Sequence, residues 1–139
     1  MKLAVFILVL VFIIMQFIIP QKVEYIEDTT FEIQTPENIK TILKKACYDC
    51  HSNQINYPWY SNIAPFSWVI TNHTTEGVKA LNFSKWAKYS DIKKEKKLKA
   101  IYRGVYSAMP LPSYILIHTE ANIIKEERNM IRNWTGVRQ

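Results

Sequence analysis

Residues Ala46–Gln54 read ACYDCHSNQ and hold both cysteines of the chain, Cys47 and Cys50, with His51 directly after the second. Two thiols at this spacing, followed by an imidazole, suit four readings. The first is covalent haem attachment, whose pattern is C-x-x-C-H. Two thiols on one helical turn reach the two vinyl groups along one porphyrin edge, and the next residue can bind the iron beneath the ring. The second is zinc, with Cys47 and Cys50 joined by two of His51, His73 and His118. Structural zinc sites usually show a second paired knuckle, whereas these histidines are scattered singly. The third is a thioredoxin-like dithiol, which expects a βαβ setting that this sequence does not show. The fourth is chance, since three fixed positions in five residues are only moderately specific.

A haem iron held by His51 takes a sixth ligand, commonly a methionine in electron-transfer proteins. Of four methionines, Met1 and Met15 lie in the leader and Met130 falls on the apolar stripe of the last helix. Met109 stands in AMPLP, where a proline-stiffened loop can aim a thioether at a metal. It is the expected distal ligand. His73 is the alternative, on a helix face with Phe66, Val69 and Ile70. A histidine on such a face is more often a satisfied core residue. His118 is a weaker candidate, with a capping or surface role the better fit.

These residues need elements to position them. Thr35 can N-cap a helix, with Pro36 at its first position and Glu37 at the positive end of its dipole. Ile39, Ile42, Leu43 and Ala46 then recur at helical spacing, and the helix runs straight into Cys47. HSNQINYPWYSNIAP reads as a loop, and a second helix starts near Pro65. LNFSKWAKYS reads as a loop or a short helical turn. Ser90 can cap a third helix striped by Leu98, Ile101, Tyr102 and Val105. A last helix begins near Asn122, carries Ile123, Ile124, Met130, Ile131 and Trp134 inward, and stops at Gly136. No strand-like alternation persists, so the domain reads as all-α.

The 139 residues allow one modest domain. Aromatics make up 13% of the chain, enough to fill a small core or to wrap something flat. The net charge is +6, and five lysines fall in DIKKEKKLKA alone. Such a run is usually a solvated helix face, and no nucleic-acid-binding signature accompanies it. An acidic redox partner is the expected use, and no nucleic acid is expected as a partner.

Leu3–Ile19 carry no charge, and Gln16 is their only polar residue. Lys2 precedes them and Pro20 follows, with no small-residue cleavage site. As a helix, about 17 residues would span roughly 25 Å, marginally short of a bilayer core of about 30 Å. Residues 1–20 are expected to be an uncleaved transmembrane signal anchor, 21–34 a tether and 35–135 the haem-binding domain. C-type haem is attached on the exported side of the bacterial membrane, so this address agrees with the C-x-x-C-H reading.

The blocks CYDCHSNQINYPWYSNIAPFSWVITNH, EGVKALNFSKW and MPLPSYILIHTEA occur in that order over roughly residues 35–135. They resemble the haem-binding domain family found widely in Bacteroidetes-type bacteria, small exported or membrane-anchored monohaem c-type cytochrome-like proteins. The resemblance implies haem on Cys47 and Cys50, His51 as proximal ligand and Met109 in the methionine–proline loop. It departs at EGVK, where the family tends to read E-G-R. Lys79 lacks the bidentate fork with which an arginine would hold a propionate.

The expectation is a cytochrome c-like all-α haem domain on an N-terminal anchor in a bacterial inner membrane, single-pass and facing the periplasm. It would carry one covalent haem c for one-electron transfer, as a carrier rather than an enzyme. The alternative is a haem-based sensor or small haem enzyme with weakly ligated iron and His73 as distal group. His51 should donate its other ring N–H to a backbone carbonyl in the 52–60 loop, and Trp59 and Trp68 should shield the haem edge.

Overall fold

A computed structural model gives the structure, which describes residues 1–137. Seven α-helices follow in order: α1 Lys2–Met15, α2 Glu37–Ala46, α3 Tyr48–His51, α4 Phe66–Ala80, α5 Asp91–Ser107, α6 Pro112–Ile115 and α7 Lys125–Thr135. Short 3-10 turns at Trp59–Asn62, Phe83–Lys88 and Thr119–Ala121 join them. No strand occurs among the described residues. The all-helical expectation therefore stands.

The membrane anchor does not. α1 has 14 residues, about 21 Å of helix against a bilayer core of about 30 Å. Among the described residues no helix is long and apolar enough to cross a membrane. The cause is the chain that follows. Gln16 Oε1 accepts the Ala64 N–H at 2.9 Å, its Nε2 donates to the Ala64 carbonyl at 3.3 Å, and the Ile18 carbonyl accepts the Trp68 indole N–H at 2.8 Å. The apolar run is thus drawn off the helix and bonded to the domain after Met15. The single-pass inner-membrane placement, and contact with a membrane through a spanning N-terminal helix, are overturned by this length.

Residues 21–34, expected as a tether, form an irregular strap that is fastened along its course. Lys22 Nζ donates to Ser61 Oγ and Asn62 Oδ1, and the Ile26 N–H to the Asn53 carbonyl at 2.9 Å. Farther on, Ile33 N–H donates to Phe83 O and Ala87 N–H to Phe31 O. Ile33 is buried in the core, which no periodicity announced. Glu32 holds this end down, with Lys40 at 2.7 Å on one oxygen and the Tyr48 hydroxyl at 2.9 Å on the other.

The core lies where α2 crosses α7. Ile39, Ile42, Leu43 and Ala46 of α2 meet Ile123, Ile131, Ile101 and Val105, with Trp134 packed against them. Lys45 adds an ion pair to Glu127 at 2.6 Å. Helix ends follow the sequence with three exceptions. Gly136 takes the left-handed stop at φ 65°. Glu127 accepts the Ile124 N–H at 3.0 Å and closes the start of α7 at Lys125, three residues beyond the expected one. Thr35, however, caps nothing: its hydroxyl is buried without a partner, and α2 starts after Pro36. Ser90 sits at the head of α5 without a side-chain cap bond.

Leu43 is fully buried between α2 and α7. Leu43→Ala is expected to cost about 2–5 kcal/mol through lost burial and the cavity left behind. Chemical denaturation checks this, and a cost under about 1 kcal/mol would place the core elsewhere.

Candidate functional site

The α2–α3 corner carries the cysteine motif. Cys47 ends α2, and its carbonyl accepts the N–H groups of Cys50 and His51, which winds α3 into a single turn. That turn sets Cys47, Cys50 and His51 in the wall of one cavity of about 840 Å³ including its open mouth. The far wall comes from α4, through His73, Glu76 and Gly77, and from the loop after α5, through Met109, Pro110 and Leu111. A second compartment of about 480 Å³ adjoins it, sharing Cys50, His73, Leu111 and Tyr114. Most of the lining is apolar, with a few polar groups converging on it, as in ligand sites generally.

His51 is the best-defined group here. Its Nδ1 lies 2.9 Å from the Gly77 carbonyl and 3.3 Å from that of Leu81. Carbonyls only accept, so Nδ1 carries the proton and Nε2 keeps a free lone pair. Burial lowers the pKa of His51, outweighing the two carbonyl bonds, and Lys97 lowers it further. The ring is therefore a neutral imidazole, the form that binds metal. The carbonyls come from the end of α4, not from the 52–60 loop. Gly77 is the reason: a Cβ there would collide with the Cys50 carbonyl, so only glycine lets α4 pass this close to α3.

The buried face of α4 also differs from expectation. Ser67, Thr71, Thr74 and Gly77 face inward, while Phe66 and Val69 are exposed. Small side chains allow the close helix approach, and the larger ones are turned away from it. His73 goes with the outer set. It is exposed, lines both compartments, and has no hydrogen bond among the described residues.

Met109 reaches the cavity from its loop at 39% exposure, with its N–H donated to the Gly104 carbonyl at 2.8 Å. Met130 instead packs against the core, as its helical spacing implied. His118 lines only the second compartment and is engaged on both nitrogens, by Tyr60 at 2.7 Å and Glu120 at 3.3 Å. Lys79 pairs with Glu76 at 2.7 Å on the surface. Trp59 is 75% exposed and lines neither compartment, and Trp68 is tied to Ile18. The aromatic walls are Tyr57, Tyr60 and Tyr114 instead.

Two sets of positioning residues were not read from the sequence. Asp49, between the cysteines, accepts the Tyr114 hydroxyl at 2.6 Å and the Asn56 N–H at 3.1 Å. Burial first, then this bond to Asp49, raises the Tyr114 pKa, so the phenol remains a donor. Behind the motif, Asn82 Nδ2 donates to Asn53 Oδ1 at 2.6 Å, and Ser84 Oγ accepts the Asn53 N–H. This buried pair joins the chain after His51 to LNFSKW. Asn and Ser clusters read as loop signals, and nothing local tells a buried network from a solvated turn.

The rival chemistries fit less well. Among the described residues no group of three or more His, Cys, Asp or Glu is placed to hold a metal ion by itself, which counts against zinc. Burial pushes the Cys47 thiol up to about 12 and the Cys50 thiol up to about 11. A redox dithiol needs a thiolate near neutrality. A flat, mostly apolar group held by soft sulfur and one imidazole suits this donor set.

Gly77→Ala is expected to destabilise the chain by about 1–3 kcal/mol, because overpacking against backbone outweighs the roughly 1 kcal/mol that alanine adds to a helix. Thermal denaturation of the variant beside wild type reads the sign. A neutral or raised melting temperature would mean that α3 and α4 are not in register through this contact.

A family model described as a haem-binding domain matches residues 10–136. No curated protein and no solved structure matches the chain. The matched span takes in the corner, the cavity, the Met109 loop and the core that supports them. The chain belongs to the haem-binding domain family, and its cofactor is haem.

Proposed function

We propose that the chain carries one haem covalently, through thioethers to Cys47 and Cys50, and serves one-electron transfer. The observation that supports this reading is the gathering of Cys47, Cys50, His51 and Met109 around one cavity, with the His51 tautomer set by Gly77 and Leu81. The bound haem would supply an iron centre that alternates between two oxidation states. His51 would offer its Nε2 lone pair as proximal ligand, and the Gly77 carbonyl would keep the ring oriented and raise its basicity. Met109 would offer a thioether as distal ligand, which favours the reduced state. Tyr57, Tyr60, Tyr114 and Leu111 would exclude water from the second compartment.

A second reading has its own support. His73 lines both compartments with no hydrogen bond among the described residues, and could serve as a distal group beside an open iron, as a sensor or small haem enzyme requires. The two readings separate by spin state. A six-coordinate low-spin resting spectrum supports electron transfer, and a high-spin one supports the sensor or enzyme.

For the partner, the lysines of α5 offer a basic ridge. Lys94 and Lys99 are paired with Asp91 and Glu95, while Lys93 and Lys96 are exposed. Lys97 donates to the carbonyl of Ala80, a residue of the cavity wall, so the ridge begins at the rim of the site. An acidic redox partner would be steered there.

Full-length chain produced with c-type haem maturation and then denatured in acid should keep the mass of one haem. Cys47→Ser together with Cys50→Ser should lose it. Met109→Ala should convert a low-spin spectrum to one that binds exogenous ligand. A colourless chain at apo mass, from a host that matures another cytochrome, would reject covalent attachment. Oxidation by a small anionic reagent should outpace that by a cationic one of equal driving force, and the difference should shrink between roughly 0.01 and 0.15 M salt as the screening length falls from about 30 to 8 Å. Equal rates at low salt would reject the ridge as a docking surface.

A further inference from the structure

Of the two residues between the cysteines, Tyr48 and Asp49, it is Asp49 that forms one end of a side-chain link between the motif turn and the Met109 loop. Its Oδ2 accepts the Tyr114 hydroxyl at 2.6 Å, and its Oδ1 is held by the Asn56 N–H at 3.1 Å, so the carboxylate is aimed. Tyr114 sits on α6, and that turn is closed by its own N–H and that of Ile115 on the Leu111 carbonyl. The ring of Tyr114 stacks on His118 at 4.4 Å, nearly parallel to it, and His118 is in turn bonded to Tyr60. The phenol is thus fixed on three sides.

The other end of the loop is fixed as well. Met109 N–H donates to Gly104 O at the end of α5. Between the two fastenings stand Pro110, which is buried, and Pro112, each with φ locked by its ring. A stiff span held at both ends can keep one side chain at a set reach. Cut at one end, it can swing.

We propose that Asp49 and Tyr114 form a latch that holds the Met109 loop closed over the haem cavity, making both positioning residues for the distal ligand. The inference rests on the reading of Met109 as that ligand. It assigns a role to the second of the motif's two variable positions: the turn that presents Cys50 and His51 also sets where the opposite ligand sits.

The test uses the full-length chain, loaded with haem and haem-free, as wild type, Tyr114→Phe, Asp49→Ala and Met109→Ala. Tyr114→Phe keeps the stacked ring and removes only the hydroxyl, so it is expected to fold. Imidazole is titrated against the visible spectrum, and hydrogen exchange is followed over residues 108–117 in both forms. Tyr114→Phe and Asp49→Ala should each bind imidazole about tenfold more tightly than wild type, the scale of one hydrogen bond to a charged group. Exchange in 108–117 should quicken in the haem-free chain too, with α2 and α7 unchanged. Wild-type imidazole affinity in Tyr114→Phe, beside tighter binding in Met109→Ala, would overturn the latch and leave the ligand in place. Tighter binding without faster loop exchange would also overturn it. If Met109→Ala itself binds imidazole no more tightly than wild type, Met109 is not the ligand, and the latch falls with it.

Discussion

The contact between Gly77 and the Cys50 carbonyl governs the rest of the site. It brings α4 so close to the motif turn that its last carbonyls meet the His51 ring. That meeting decides which nitrogen carries the proton and therefore which lone pair is free. Any larger residue at position 77 would push α4 away and leave the buried Nδ1–H without an acceptor, an unsatisfied polar group that costs about 1–3 kcal/mol by itself. One missing side chain thus couples helix packing to ligand chemistry.

The support for this contact spreads outward through polar links as much as through the apolar core. Ser67, Thr71 and Thr74 keep α4 slim on its buried face. Asn53, Asn82 and Ser84 lock the chain after His51, and Phe83 places its ring between Tyr48 and Trp86, edge-on to His51 at 6.4 Å. A small domain has little apolar surface to bury. Ordering these loops by satisfied buried hydrogen bonds, and by a strap bonded along its length, makes the cavity wall rigid without a larger core.

The N-terminal run illustrates how a local pattern can mislead. Seventeen uncharged residues satisfy every local criterion for a helix near membrane length, but helix length is decided by where the backbone finds other partners. Here the Gln16 side-chain amide bonds the Ala64 backbone and the Ile18 carbonyl takes the Trp68 indole N–H, some 50 residues away, and the helix closes at Met15. The α4 stripe failed for a related reason. Phe66, Val69 and His73 share a face by spacing, and the hydrophobic pattern assigns that face to the core, yet closeness to α3 demanded the small face inward.

Within the chain, the sequence alone determined the helices whose burial pattern is strong and one-sided. α2, α5 and α7 bury Leu43, Ile101, Val105 and Ile131 as their periodicity requires, and Gly136 stops α7 because only a residue tolerant of positive φ closes a helix that way. It also determined that Cys47, Cys50 and His51 sit together, since they are adjacent and any local turn keeps them so. What only the tertiary structure decided were the relations between distant segments: which carbonyl takes the His51 proton, which tyrosine meets Asp49, and whether His73 or Met109 lines the cavity. Both do, and neither position follows from spacing. Hydrogen bonds between residues 26 and 65 positions apart depend on how helices pass one another, and helix passage is set by side-chain size at crossings that no local periodicity records.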